Sequence, residues 1–524
     1  MIMPPGAIKT WLIPMIAIAA VAAVLLMRMR QPETAAPVPA SPAAAQQVKP
    51  AAYEIVETQL LPLRLYADRI SERAEIAVGG GAIEQVGDTL LIMDRRGKLF
   101  AYKDGKISAG DFPELPIHMK DYSDDARFPM TEGNLRAHDL TYDKEENCLY
   151  ASYDSYDKAA RAPRFAISRI ALSENTLQPK GNWEQVYRTS PVPLRDYYAG
   201  RGAGGKMLIV KRSLYFTVGD YSLDRIVSSP ADIAAQDPQS PFGKTYRYDL
   251  KRKSLKRMSM GHRVPQGLAS TSSGQILETE HGPRGGDELN VITEGANYGW
   301  PYVSYGTRYF SYRPYLDPKT FKKKLTEPVF AWVPSIAVTA LFESNRFDPA
   351  WNGNIIVGSL KAQSLFRLKM VQGRVIFSEP IWIGHRVRDL LEQDGRIVVW
   401  TDDGSLIFVT PERSLLAADQ LNVEDGYKIR VLSSCSTCHS LASHNQFYWA
   451  PTLRGIYGAK IAGDNFQNYS AALRSKTGVW EEATLMAFLM DPQNFAPGTT
   501  MINPDLTAAQ VTEVIKALKA LSHK

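Results

Sequence analysis

From Tyr53 to Pro411 the chain repeats one pattern: short runs rich in Val, Ile, Leu, Tyr and Phe, cut by tight turns built on Gly, Asp or Asn. TLLIMDRRGKLFAYKDGKI (89–107) reads as two strands around Gly97 with a second turn at Asp104-Gly105. Similar pairs recur in CLYASYD (148–154), MLIVKRSLYFTVGD (207–220), TYRYDLKRKSLKRM (245–258), NIIVGSLKAQSLFRLKM (354–370) and RIVVWTDDGSLIFVT (396–410). Strand after strand with turn residues between, and no helical period interrupting, implies a closed all-β architecture. Roughly 360 residues is too long for one sandwich and divides into six blades of about 60 residues each. Two tandem sandwiches would share the pattern, but no linker divides the region. The expected fold class is therefore mainly β, a six-bladed β-propeller over residues 53–411.

Composition sets outer limits. The chain has 524 residues, 61 Lys+Arg against 55 Asp+Glu, and a net charge of +6. Spread over this length, that charge gives no footprint for nucleic acid. Three cysteines cannot build a disulfide framework. The basic runs KRKSLKR (251–257) and FKKKL (321–325) read as solvated turns, and Cys148, inside an apolar run, reads as a small core residue. The segment Tyr305 to Phe321 carries six aromatics and no strand pattern. It either lines a pocket mouth or packs on itself.

The two remaining cysteines form CSTCH, Cys435 to His439. This is the attachment motif for c-type haem. Two thiols three residues apart add to the haem vinyl groups, and the adjacent histidine becomes the proximal iron ligand. A zinc knuckle would need a second ligand pair, which the sequence lacks. Residues 426–524 number 99, and their order, APTLRGIYG (450–458), NYSAAL (468–473), Trp480, LMAFLMDP (485–492), PGTTM (497–501) and an amphipathic segment from Thr507 to Leu521, resembles the small all-α class I cytochromes c. That resemblance makes Met501 the distal ligand, and methionine opposite histidine favours ferrous iron. Met486 and Met490, spaced i, i+4, read as core, and His444 and His523 have no matching role.

The N-terminus holds 17 uncharged residues, Trp11 to Met27, preceded by Lys9 and followed by Arg28 and Arg30. That length is at the lower limit for crossing a bilayer core of about 30 Å. Arginines stand where a cleaved signal would carry small residues, so the expectation is an uncleaved membrane anchor over 1–30, a transmembrane helix at about 11–27. Residues 31–52 place 13 Ala and Pro in 22 positions, a semi-stiff linker. A shorter linker, 412–425, precedes the haem domain. Haem c is attached outside the cytoplasm, which implies a bacterial inner-membrane protein with both domains in the periplasm.

Residues 261–306, GHRVPQGLASTSSGQILETEHGPRGGDELNVITEGANYGWPYVSYG, closely resemble the soluble aldose sugar dehydrogenases, propeller quinoproteins related to soluble glucose dehydrogenase. Their pattern is GHRNPQG, then EHGPRGGDELN, then NYGWP. LYFTVGD (214–220), WNGNIIVGSLK (351–361) and HRVRDL (385–390) follow in family order, so the resemblance covers most of 130–410. It implies a six-bladed propeller that uses pyrroloquinoline quinone (PQQ) and calcium. By that resemblance Arg386 and Arg388 form the cofactor-binding arginine pair, and their alternation places them on one strand face. Arginine forks suit a tricarboxylate. Lys361, Arg263 and Gln266 match further cofactor-binding positions. Gly282 and Pro283 match the positions whose backbone carbonyls hold the catalytic calcium, a hard ion suited to oxygen ligands that would polarise a quinone carbonyl. Asp287 and Glu288 are candidates for a second calcium.

Two departures stand out. The family's general base is a histidine two residues before a Gly-Gly pair. Gly204-Gly205 here puts Gly202 in that place, and glycine accepts no proton. The asparagine of GHRNPQG is Val264. Glu132 and His138, in TEGNLRAHDL, are the candidate replacement bases. The sequence thus supports a quinoprotein–cytochrome c oxidoreductase that oxidises a sugar or alcohol and passes electrons to a respiratory acceptor. The alternative is a catalytically inactive propeller that binds a ligand or partner beside an electron-transfer cytochrome.

Overall fold

The computed structural model describes residues 53–125, 135–173, 176–193, 202–225, 233–309, 311–314, 316, 324–412, 432, 435, 439–441, 450–464, 466 and 468–522. The anchor and linker calls over 1–52, the linker over 412–425 beyond its first residue, Glu132, Cys438, His444 and His523 lie outside the described residues. Among the described residues no helix is long and apolar enough to cross a membrane.

Six sheets of four or five strands follow in chain order, antiparallel except where Ala296–Asn297 adds parallel to Ser254–Met260. They are six blades, not two sandwiches. The innermost strand is the first of each blade: Ala82–Val86, Ala137–Asp143, Gly204–Val210, Val264–Ser270, Val338–Glu343 and Val387–Gln393. Each packs beside the next, and the sixth packs beside the first, so the ring closes. Closure is completed by the start of the described chain. Leu63–Asp68 pairs antiparallel with Leu406–Pro411, and Glu54–Val56 adds outside it. The sixth blade therefore joins residues more than 300 positions apart, which leaves no free seam at its outer side.

Burial follows from the strand composition. Thr89–Met93 is buried at every position, as expected for a strand covered on both faces. A core cluster of Leu91, Leu149, Tyr150, Phe165, Phe216 and neighbours joins blades one to three. A second, around Trp351, Val387, Ile397 and Val409, joins blades five and six. Cys148 is buried in the first cluster, as its apolar setting predicts.

The C-terminal part is helical. Helices Ala471–Arg474, Glu482–Met490, Pro492–Phe495 and Ala508–Leu521 surround Trp480, Phe488, Val511, Ile515 and Leu518. The last helix starts at a capping box, Thr507 with Gln510, which satisfies otherwise orphaned N–H groups.

Candidate functional site

All six innermost strands begin at the same end of the ring, and a pocket of about 440 Å³ opens there. Its lining includes Arg95, Arg136, His138, Gln266, Arg386 and Arg388. Arg386 and Arg388 flank the intervening Val387 and turn to one carboxylate: Arg386 Nε donates to Asp402 Oδ2 at 2.8 Å and Arg388 Nε to Asp402 Oδ1 at 2.5 Å. Asp402 fixes both forks at the pocket wall, and Arg386 Nη1 also donates to Leu360 O at 3.4 Å. The two arginines hold the Asp402 carboxyl below its usual range against the opposing effect of burial, which is the largest influence on it. Arg95 Nε is buried without a hydrogen-bond partner. An orphaned guanidinium donor in a cation-rich pocket suits an anionic ligand.

His138 lies in this pocket, and Gly205 makes room for it. A Cβ on Gly205 would meet His138 Cβ at 2.6 Å, and Gly205 has φ +96°, a conformation that favours glycine. The His138 ring stacks on Phe165, with centroids 6.2 Å apart. Its Nε2 is 3.2 Å from Asp154 Oδ2, close enough for electrostatic pairing though not aligned as a hydrogen bond. Asp154 is buried, and its Oδ1 accepts from Tyr221 Oη at 2.7 Å. Gly202 does not face open space: a Cβ there would stand 3.0 Å from Tyr221 Cα. Val264 is buried.

The remaining family-matched residues divide. Gln266 joins the arginine pair in the pocket. Lys361 is exposed, next to the pocket-lining Leu360. Arg263 lines a neighbouring cavity of about 10 Å³ with Glu280, Gly282 and Glu288. There its Nη1 donates to His281 O at 3.1 Å and Gly282 O at 2.9 Å, and its guanidinium lies over Trp300. A cavity of this size holds about one water or ion. Burial, reinforced by Glu280, pushes the Glu288 carboxyl well above its ordinary range. Such a carboxyl is relieved by a cation. Glu288 therefore fits a cation, whereas the Gly282 carbonyl is already taken by the Arg263 guanidinium. Asp287 does not fit one, because its carboxylate is already filled: Oδ1 accepts from Gly282 N and Ser335 Oγ, and Oδ2 from the backbone N–H groups of Ile336, Ala337 and Val338. Asp287 clamps two loops together. Pro283 lies beside Gly306, whose Cβ would be 2.9 Å from Pro283 Cγ.

Sequence reasoning missed Lys206, Asp402 and Asp154. Lys206 follows the Gly-Gly pair and lines the pocket. Asp402 sits in an ordinary-looking TDDG turn. Their significance depends on ring closure.

In the helical part, His439 Nδ1 is 2.8 Å from Pro451 O. The carbonyl accepts, so Nδ1 carries the proton and Nε2 is left as the ligand atom, the arrangement of haem-ligating histidines. Cys435 and Met501 both pack against the same core cluster. Gln493 braces the methionine loop: its Oε1 accepts from Gly498 N at 3.1 Å and its Nε2 donates to Thr499 O at 2.8 Å. These residues fit haem c.

The chain matches the glucose/sorbosone dehydrogenase family over residues 82–408. It is 35% identical over 161 residues to the aldose sugar dehydrogenase YliI of Escherichia coli, a stretch covering 29% of this chain and 43% of that protein. The match thus spans less than half of that relative's length. Cytochrome c of Sesamum indicum is 34% identical over 92 residues, 17% of this chain and 79% of that protein. A crystal structure of a glucose dehydrogenase is 25% identical, with a TM-score of 0.54, covering 63% of this chain and 96% of that one.

Proposed function

The chain belongs to the glucose/sorbosone dehydrogenase family through its propeller and to the cytochrome c family through its C-terminal part, and on that premise we propose that it is a PQQ- and calcium-dependent sugar or alcohol dehydrogenase with a built-in haem c electron relay. The observation that carries this reading is the cation-lined pocket at the common end of the six innermost strands. Bound PQQ supplies a two-electron quinone acceptor, polarised by calcium, and haem c supplies a one-electron relay.

The chain's own residues do the rest. Arg386 and Arg388, braced by Asp402, and Arg95 hold the carboxylates of the cofactor. Gln266 supplies a neutral polar contact. His138 takes the substrate hydroxyl proton, and the buried Asp154 carboxylate behind it stabilises the imidazolium that forms. Glu288 offers carboxylate oxygen to calcium, and the Gly282 carbonyl can join it only once Arg263 Nη1 releases it. Cys435 and Cys438 hold the haem, with His439 and Met501 as iron ligands. The fusion keeps donor and acceptor at high effective concentration. The apolar run at 11–27 anchors the chain in the inner membrane, the domains face the periplasm, and electrons pass to a respiratory acceptor.

Direct titration of PQQ into the full chain tests the pocket assignment. Wild type should bind with calcium present, and Arg386→Ala/Arg388→Ala should lose binding while retaining haem. Equal binding by both would remove the site from this pocket. The second reading, a propeller that binds without catalysis, is favoured by Gly202, which carries no imidazole and whose Cβ position, 3.0 Å from Tyr221 Cα, accepts a side chain only if the Tyr221 backbone shifts.

A further inference from the structure

The third residue of each innermost strand lies one step below the pocket mouth. In order these are Glu84, Asp139, Lys206, Gln266, Ala340 and Asp389. Four of the six are ionisable. Lys206 Nζ donates to Asp139 Oδ1 at 2.6 Å, on the adjacent blade, and to Asp389 Oδ1 at 2.9 Å, on the blade opposite. The other carboxylate oxygens are held by backbone: Asp139 Oδ2 by Met207 N and Asp389 Oδ2 by Ile83 N. Glu84 holds the matching position on the first blade, next to these acids, and is half-buried. The charged groups facing Glu84 are Asp139 and Asp389, themselves bridged by Lys206.

One lysine cannot neutralise three carboxylates in a low-dielectric setting. Two negative charges stay uncompensated, and a proton held in the layer halves that excess. Burial, followed by repulsion from Asp139 and Asp389, pushes the Glu84 carboxyl up to about 8. Burial likewise raises Asp139, to about 6, although Lys206 opposes it.

We propose that Glu84, Asp139, Lys206 and Asp389 form a proton-holding layer beneath the pocket, with Glu84 as the group that exchanges protons with water in the axial opening. The proposal deepens the dehydrogenase reading and, in its role during turnover, rests on it. Oxidation of CH–OH to C=O breaks one C–H and one O–H bond and releases two electrons and two protons. A bound haem would pass the electrons on singly and carry no proton. Both protons must therefore reach water separately, either through the open pocket mouth or through acid–base groups of the chain, and the layer supplies the second route. Lys206 lines the pocket and joins it directly to this layer.

Infrared titration of the full chain between pH 5 and pH 10 tests the layer without substrate or cofactor. Wild type should show a protonated-carboxyl band at pH 7 that decays with a midpoint near pH 8. Glu84→Gln should lack the component that decays near pH 8 while keeping the bands of other raised carboxyls such as Glu288, and Glu84→Asp should restore a component at a shifted midpoint. A wild-type-minus-Glu84→Gln difference spectrum with no component decaying near pH 8 would overturn the proposal. During turnover, an indicator dye should report proton release slowed about tenfold or more in Glu84→Gln. Unchanged release alongside haem reduction would remove the layer from the exit route. If no substrate reduces haem in wild type, the dehydrogenase reading falls, and the infrared result still decides whether Glu84 holds a proton.

Discussion

Lys206 of the third blade reaches Asp389 of the sixth, on the opposite side of the ring, with 2.9 Å between Nζ and Oδ1. One side chain thereby crosses the axial opening and forms part of the pocket floor. Asp139 completes the contact at 2.6 Å. All three side chains are largely buried, at 12%, 5% and 7% exposure. Removing the cation would strand two carboxylates in the interior.

Lys206→Met should therefore lower propeller stability by about 3–5 kcal/mol, the usual cost of breaking one side of a buried ion pair. Chemical denaturation followed by tryptophan fluorescence would measure it. A change below about 1 kcal/mol would show that water penetrates the site and screens the acids.

Gly205→Ala should damage the site through His138. The added methyl would stand 2.6 Å from His138 Cβ, and φ +96° costs a side-chain-bearing residue about 1–2 kcal/mol. Substrate-driven haem reduction should fall about as far as in His138→Gln, by a factor of about 10²–10⁴. PQQ affinity should change much less, because the arginines lie on other strands.

The buried His262 gives the propeller a pH signature. Its Nδ1 is 2.9 Å from Glu278 and 3.2 Å from Glu280. Burial lowers its pKa, but the two carboxylates outweigh that and raise it to about 10, against an ordinary 6.5. The folded state thus binds a proton that the unfolded state has released. The contribution is fully present below about pH 6.5 and is lost as pH rises through about 10. Melting curves should fall in temperature over that window in wild type, and the fall should be smaller in His262→Gln.

The haem ligands are separable from the propeller. Cys435→Ala/Cys438→Ala should leave no haem on a denaturing gel. Met501→His should keep the haem but lower its potential, since thioether ligation favours ferrous iron. Redox titration of the α band would show the shift.

Local signals were readable in the sequence, and closure was not. Alternating runs and Gly turns such as Gly97 located strand pairs, because hairpins are short-range. CSTCH located the haem attachment, because its chemistry needs adjacent residues. Pairing of Leu63–Asp68 with Leu406–Pro411 left no local trace. The layer of Glu84, Asp139, Lys206 and Asp389 depends on that closure and on strand register, so four unrelated motifs hid one site. Asp287 shows the opposite failure. Its acidic motif suggested a metal ligand, yet its oxygens are spent on the Ser335 hydroxyl and on backbone donors 49 to 51 residues away. Family resemblance marked Gly202 as a lost base, while the residue that fills the pocket, His138, comes from the preceding blade.

The central claim is that electrons from a substrate reach haem c through the propeller pocket. The full chain, with haem matured, should be oxidised, supplied with calcium and PQQ, and mixed with a panel of aldoses and alcohols while the reduced-haem α band is recorded. Reduction should require PQQ, calcium and one substrate class together, and should vanish in Arg386→Ala/Arg388→Ala. Haem that dithionite reduces but no substrate does, in protein shown to bind PQQ, would contradict it.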